Sequence, residues 1–155
     1  MPALLEIDEY SIDGFNLQAN ADFDGEKESP NALNVDFNIG RATTGEPRFE
    51  VRLFISLNQK DEQFAQATYR MDLNVAGYFH FPDDTDEETI KKMIAPNGLA
   101  ILYGIARGTA AHMTGCSRFG KLVLPSVNFI ELIKEKGWAE KVQSRKKIPK
   151  KTSKN

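Results

Sequence analysis

Apolar and polar residues alternate through the first half of this chain, and the alternation then gives way to a spacing of three and four. Between Leu5 and Ala19 the apolar positions are Leu5 and Ile7, then Tyr10 and Ile12, then Phe15 and Leu17. This is period two with two phase slips, which predicts a strand interrupted by bulges. Residues 20–31 are polar, contain Gly25 and Pro30, and predict a loop. Leu33, Val35, Phe37 and Ile39 then alternate with Asn34, Asp36 and Asn38, as in a half-buried antiparallel strand. Gly40 to Pro47 reads as a turn. A third strand carries Phe49, Val51, Leu53, Ile55 and Leu57 on one face. Its other face, Arg48, Glu50, Arg52 and Ser56, is broken by Phe54. Residues 58–62 read as a hairpin connection. The fourth alternating run spans Ala65 to Phe81, longer than an ordinary strand, with Gly77 as a site for a bend or bulge.

From Thr85 the period changes. Thr85 and Glu88 have the spacing of a capping box, predicting a short helix that ends near Ile94, because Pro96 disfavours helix at Ala95. Pro96 can open a second helix. Leu99, Leu102, Tyr103, Ala106, Ala110 and Met113 line one face of it through about Thr114, with Gly115 as its cap. Asn128 and Glu131 repeat the capping-box spacing ahead of Phe129, Leu132 and Ile133, a last helix that Gly137 can end. Strands first and helices after predict an α+β fold: a four-stranded antiparallel sheet followed by C-terminal helices packed on one face. Phe54, Ala76 and Tyr78 interrupt the polar face of that sheet, and its edges need covering. Both features point to oligomerisation or to a surface that binds something apolar.

Length adds one constraint: 155 residues suit a single domain. Charge adds another. The chain holds 20 basic and 22 acidic residues, and seven of the basic ones lie from Lys141 onward with no acid among them. The rest therefore carries a net charge of -9, which argues against nucleic acid as the ligand of the body. The expected division is a domain over 1–142 and a basic, disordered tail over 143–155. That tail can solubilise the chain or touch nucleic acid or an anionic membrane surface. The start, Met1 to Glu6, has no basic region of the kind that opens a signal peptide. No apolar run reaches the roughly 20 residues a bilayer needs, so no direct membrane insertion is expected. Cys116 is the one cysteine, so no internal disulfide forms and a cytoplasmic setting is expected.

Candidate chemistry is sparse. His112 and Cys116 lie four apart on a helix, a spacing open to two metal ligands, but no further His or Cys completes a zinc site. Cys116 lacks the surroundings of an activated nucleophile. Asp22-Phe23-Asp24-Gly25-Glu26 and Asp83-Asp84-Thr85-Asp86 cluster oxygens without EF-hand spacing. Walker, GxGxxG and GxSxG patterns are absent. The reading expects no catalytic residue, no metal and no cofactor.

Four segments together resemble SecB, the bacterial export chaperone family: Asn34-Val35-Asp36-Phe37-Asn38, Gly77-Tyr78-Phe79-His80-Phe81, Leu102-Tyr103-Gly104-Ile105-Ala106-Arg107 and Leu122-Val123-Leu124-Pro125-Ser126-Val127-Asn128-Phe129. Gly104 stands where that family usually has proline. The resemblance implies a homotetramer that holds unfolded preproteins without ATP and passes them to the SecA motor. Clients would lie in apolar grooves between sheet and helix. Val35, Phe37, Met113, Phe119 and Leu122 match groove positions, and Tyr78 is added as an aromatic on the more polar face. Asp72 matches an acid of the SecA-docking face, but Arg70 sits where that face expects an apolar residue, and the tail is basic where the family's is polar to acidic. A subgroup of SecB-like proteins protects an antitoxin within a toxin–antitoxin system, which needs client binding without SecA. The implied client is therefore an unfolded preprotein or an antitoxin.

Overall fold

The alternating segments form one four-stranded antiparallel sheet in the computed structural model, which describes residues 3–25 and 30–138. The strands are β1 (Glu6–Ala19), β2 (Leu33–Arg41), β3 (Arg48–Leu57) and β4 (Tyr69–His80), in the spatial order β1-β4-β3-β2. The two phase slips in β1 are real irregularities: its register against β4 shifts between Ile7 and Glu9 and again between Ile12 and Gly14. Each extra residue restores the apolar set to one face, so Ile7, Tyr10, Ile12, Phe15 and Leu17 pair with Phe79, Gly77, Val75, Leu73 and Met71.

The core lies on that face. Val51, Leu53, Ile55 and Leu57 of β3 and Met71, Leu73, Val75 and Phe79 of β4 are all buried. Each such side chain stabilises by roughly 1.5–3 kcal/mol relative to exposure. A single long helix, α2 (Glu87–Gly115), packs across β3 and β4 through Ile90, Ile94, Leu99, Leu102, Ala106 and Ala110. Its approach is close where Gly77 and Gly98 sit: a Cβ on Gly77 would meet Leu102 at 2.7 Å, and one on Gly98 would meet Val51 at 3.3 Å.

Several local expectations are corrected. The predicted break at Pro96 is absent, and α2 runs through it. Proline removes one backbone donor, but Ile90 and Ile94 before it and Leu99 and Leu102 after it bury against one surface, so continuity is favoured by packing on both sides. The N-cap is Asp86 rather than Thr85. Its carboxylate accepts from the Thr89 amide at 3.3 Å and the Thr89 hydroxyl at 2.6 Å, which holds it below the usual carboxylate range. Gly115 is the last helical residue and Cys116 caps it. Gly77 marks no bulge, since the β4 register is continuous through it on both sides; its role is clearance for Leu102.

The β3–β4 connection is longer than a hairpin turn and contains a short helix, α1 (Asp61–Ala65), so β4 starts at Tyr69 and not at Ala65. The connection is anchored by Asn58, which is buried and holds φ at 54°. Its side chain accepts from the Ala32 amide at 2.9 Å and donates to Asn31 Oδ1 at 2.9 Å and to the Tyr69 carbonyl at 2.8 Å. At the opposite end of the sheet Arg41 donates to both Glu87 carboxylate oxygens, at 2.8 and 2.9 Å, tying β2 to the first turn of α2.

The chain divides into two compact units, Met1–Pro125 and Ser126–Asn155. The second contains α3 (Phe129–Glu135), whose N-cap Asn128 accepts from the Glu131 amide at 3.2 Å. Gly137, at φ 64°, follows its end as expected. The expected basic tail, 143–155, lies outside the described residues.

Candidate functional site

The candidate groove residues fall on three elements. On β2, Val35 pairs with Ile55 and Phe37 with Leu53, which puts both on the α2 side of the sheet. Val35 is 7% exposed and belongs to the core, whereas Phe37 is half-buried. Met113, in the last turn of α2, is 46% exposed. Phe119 and Leu122 lie in the segment after α2, residues 117–124, which has no helix or strand of its own. Both are half-buried.

That segment is a strap held from below by side chains. The Tyr69 hydroxyl accepts from the Phe119 amide at 2.9 Å and donates to the Gly120 carbonyl at 2.8 Å. The Thr114 hydroxyl accepts from the Leu122 amide at 2.7 Å and donates to the Ala110 carbonyl at 2.6 Å. The Tyr103 hydroxyl donates to the Pro125 carbonyl; burial pushes this phenol up, so it stays protonated at neutral pH. The Phe119 ring stands edge-on to Tyr69 at 5.8 Å and to Phe23 at 5.7 Å. Between these ties Val123 is 57% exposed. Alternation along strands could not single it out; the available signal was three consecutive apolar residues, Leu122-Val123-Leu124, in a segment without helical spacing.

Tyr78 is not with these residues. Its register places it opposite Glu9 and Glu50, on the face of the sheet away from α2. It is 41% exposed there and shares the face with exposed Phe54 and with Asp72. A shallow hollow of about 380 Å³ lies beside it, lined among others by Gly40, Arg48 and Glu50. The charges of this face are mixed. Arg70 pairs with Asp61 at 2.8 Å and stacks on Phe64, Arg52 pairs with Glu50, and His80 lies 2.8 Å from Asp8. Cys116 is exposed, and no group of three or more His, Cys, Asp or Glu side chains is arranged to hold a metal among the described residues. No helix among them is long and apolar enough to cross a membrane.

The partly open apolar side chains on β2, on the last turn of α2 and on the strap can bind apolar chain segments; Phe37 lies on the β2 edge of the sheet, whereas the strap is tied to Tyr69 and Phe23 beside β1. The family model for the preprotein translocase subunit SecB matches residues 10–140. The chain belongs to the SecB family. A search of curated proteins finds no match. Among solved structures the SecB-family fold seen here is similar to the Mycobacterium tuberculosis Rv1957 SecB-like chaperone, in complex with a ChAD peptide from the Rv1956 HigA1 antitoxin. The TM-score is 0.54 at 19% identity, covering 80% of this chain and 91% of that one. A Streptococcus agalactiae protein of unknown function also matches, with TM-score 0.43 and 10% identity over 79% of this chain and 97% of that one. The sheet followed by a long helix is thus what the resemblance to SecB implied.

Proposed function

We propose that this SecB-family chain is an ATP-independent holdase that binds unfolded polypeptide through partly open apolar side chains, Phe37 on β2, Met113 at the end of α2 and Phe119 and Leu122 on the strap, and that its client is an antitoxin. The observation that carries the holdase reading is the strap: apolar side chains left partly open on a segment held in place by buried hydroxyls. Two features favour an antitoxin client. The similar Rv1957 chaperone is in complex with an antitoxin peptide. The outer sheet face mixes its charges, with Arg48, Arg52 and Arg70 paired to Glu46, Glu50 and Asp61 alongside Asp72, which suits an acidic SecA-docking face poorly. The second reading, export with delivery of preproteins to SecA, draws on the family's description and on Asp72.

In this proposal the chain works in the cytoplasm as a homotetramer, and its holding domain is 1–142. Light scattering at micromolar concentration is expected to give a tetramer; a monomer would remove the oligomeric part of the reading. Deleting Gln143 to Asn155 is expected to leave oligomeric state, melting temperature and client holding nearly unchanged. Lost holding by an intact oligomer would instead locate client contacts in the tail.

The β2 client contact is tested with Phe37→Asp. An ordered segment loses chain entropy on binding, so buried apolar area must supply the affinity. A carboxylate in that area is expected to weaken binding of a reduced, carboxymethylated unfolded protein about tenfold or more, which is about 1.4 kcal/mol. Fluorescence anisotropy reads the affinity and circular dichroism the fold. Wild-type affinity in a folded variant would sink the assignment. The two client classes are separated by genomic neighbourhood and growth: a toxin–antitoxin pair beside the gene, with co-expression of this chain relieving that toxin's effect, is expected, whereas restored growth of export-defective cells without any such effect would favour the second reading.

A further inference from the structure

We propose that Tyr69 and Thr114 are positioning residues for client binding: their hydroxyls fix the strap over residues 117–124 at the height at which Phe119 and Leu122 meet an unfolded chain. This inference rests on the holdase reading and adds the parts that prepare the surface.

The argument starts from what the strap lacks. It has no helix or strand of its own, and its turn at Gly120 requires a φ of 77°. A segment of this kind is ordered only as far as other groups order it. Its own turn bonds, the Phe119 ring contacts and buried Leu124 contribute, and the ties to the Phe119 and Leu122 amides are two buried hydroxyls from rigid elements. Tyr69 is the first residue of β4 and is 2% exposed; Thr114 lies in the last turn of α2 and is 0% exposed. Each hydroxyl both accepts from a strap amide and donates to a carbonyl, so its hydrogen-bonding capacity is used in fixing the backbone. The two amides they hold belong to Phe119 and Leu122, the same two residues that carry the candidate client contacts. Val123, between Leu122 and the buried Leu124, is turned out to solvent by this arrangement. Without the hydroxyls the Phe119 and Leu122 backbone would have to be ordered in part when the client binds, and that ordering cost would be taken from the affinity.

The test uses the full-length protein, with Tyr69→Phe, which keeps the ring, and Thr114→Val, which keeps the volume. Thr114→Ser, which keeps the hydroxyl, is the rescue variant. The probe is a fluorescently labelled, reduced and carboxymethylated polypeptide, measured at a temperature at which circular dichroism shows every variant fully folded. Should Thr114→Val fail to fold, Tyr69→Phe against wild type carries the comparison. Tyr69→Phe and Thr114→Val are expected to bind the probe about tenfold more weakly, and to exchange the Phe119 and Leu122 amide hydrogens at least about tenfold faster, while Thr114→Ser behaves as wild type in both. A purely structural role would lower the melting temperature and leave the affinity of the folded protein unchanged, and that result overturns the inference. Unchanged amide exchange overturns it as well, because the hydroxyls would then not be what holds the strap. Wild-type protein that fails to bind the probe refutes the holdase reading and this inference together; wild-type protein that binds, with variants indistinguishable from it, refutes the inference alone.

Discussion

Replacing Asn58 by alanine is expected to remove about 4 kcal/mol of folding stability, a large part of the 5–15 kcal/mol typical of a domain. Two effects combine. Asn58 holds a left-handed backbone at φ 54°, where a Cβ without a compensating polar group costs about 1 kcal/mol. Its side chain also makes three hydrogen bonds, to Ala32, Asn31 and Tyr69, in a site that is 1% exposed. Leaving such buried partners unsatisfied costs about 1–3 kcal/mol in total beyond the bonds' modest net worth. Asn58→Gly separates the two, since glycine takes this backbone freely and should recover about 1 kcal/mol of the loss. Urea denaturation of the three proteins measures both quantities. Equal stabilities for the alanine and glycine variants would show that the backbone term is not at work, and a loss under 1 kcal/mol would show that the hydrogen bonds are not.

Gly77→Val tests how closely α2 lies on the sheet, and its sign is the informative part. In an ordinary strand valine is favoured over glycine by β-propensity. At this position a Cβ would come within 2.7 Å of both Leu102 and Phe79, each almost wholly buried. At that distance a side chain or the helix must shift, so overpacking is expected to destabilise by about 3 kcal/mol. A compensating Leu102→Ala in the same chain should restore part of it, because the helix side chain that blocks the valine is then shortened. A stabilised Gly77→Val would mean that α2 lies further from β4 than the distances here indicate.

β2, β3 and β4 were legible because each turns one face to the core, so the alternation records burial directly, whereas β1 keeps the alternation with Tyr10 and Ile12 still exposed. Even the β1 irregularities were visible, as slips between Ile7 and Tyr10 and between Ile12 and Phe15. What escaped the reading depended on partners distant in the chain. Pro96 looked like a boundary because local backbone chemistry disfavours it, and only the sheet beneath α2 reverses that. Residues 58–62 looked like a hairpin connection, and the helix that starts within them, Asp61–Ala65, is only about one turn long. The candidate site was legible as residue types, through Phe37 and the Leu122–Leu124 run. Its mode of support was not: Tyr69 and Phe119 are 50 residues apart, and nothing in the pattern of either segment announces the other. Tyr78 was visible as an aromatic on the polar face, and the register puts it there, on the opposite face from Phe37.

The strand order has a consequence for how the chain is made. The first strand finds its partner in the last, with Ala19 beside Tyr69 and Glu6 beside His80, whereas β2 and β3 are neighbours in both sequence and space. At a synthesis rate of about 5–20 residues per second, β1 has left the ribosome for roughly 3–10 s before β4 exists to receive it. During that interval a segment carrying Ile7, Tyr10, Ile12, Phe15 and Leu17 has no fold to join, while the β2–β3 hairpin can already close. Glu6, Asp8, Glu9 and Asp13 are spaced through its first half, where like charges keep such a segment from pairing with its own kind. The nascent chain therefore spends several seconds as an unpaired apolar segment of the kind it is proposed to hold.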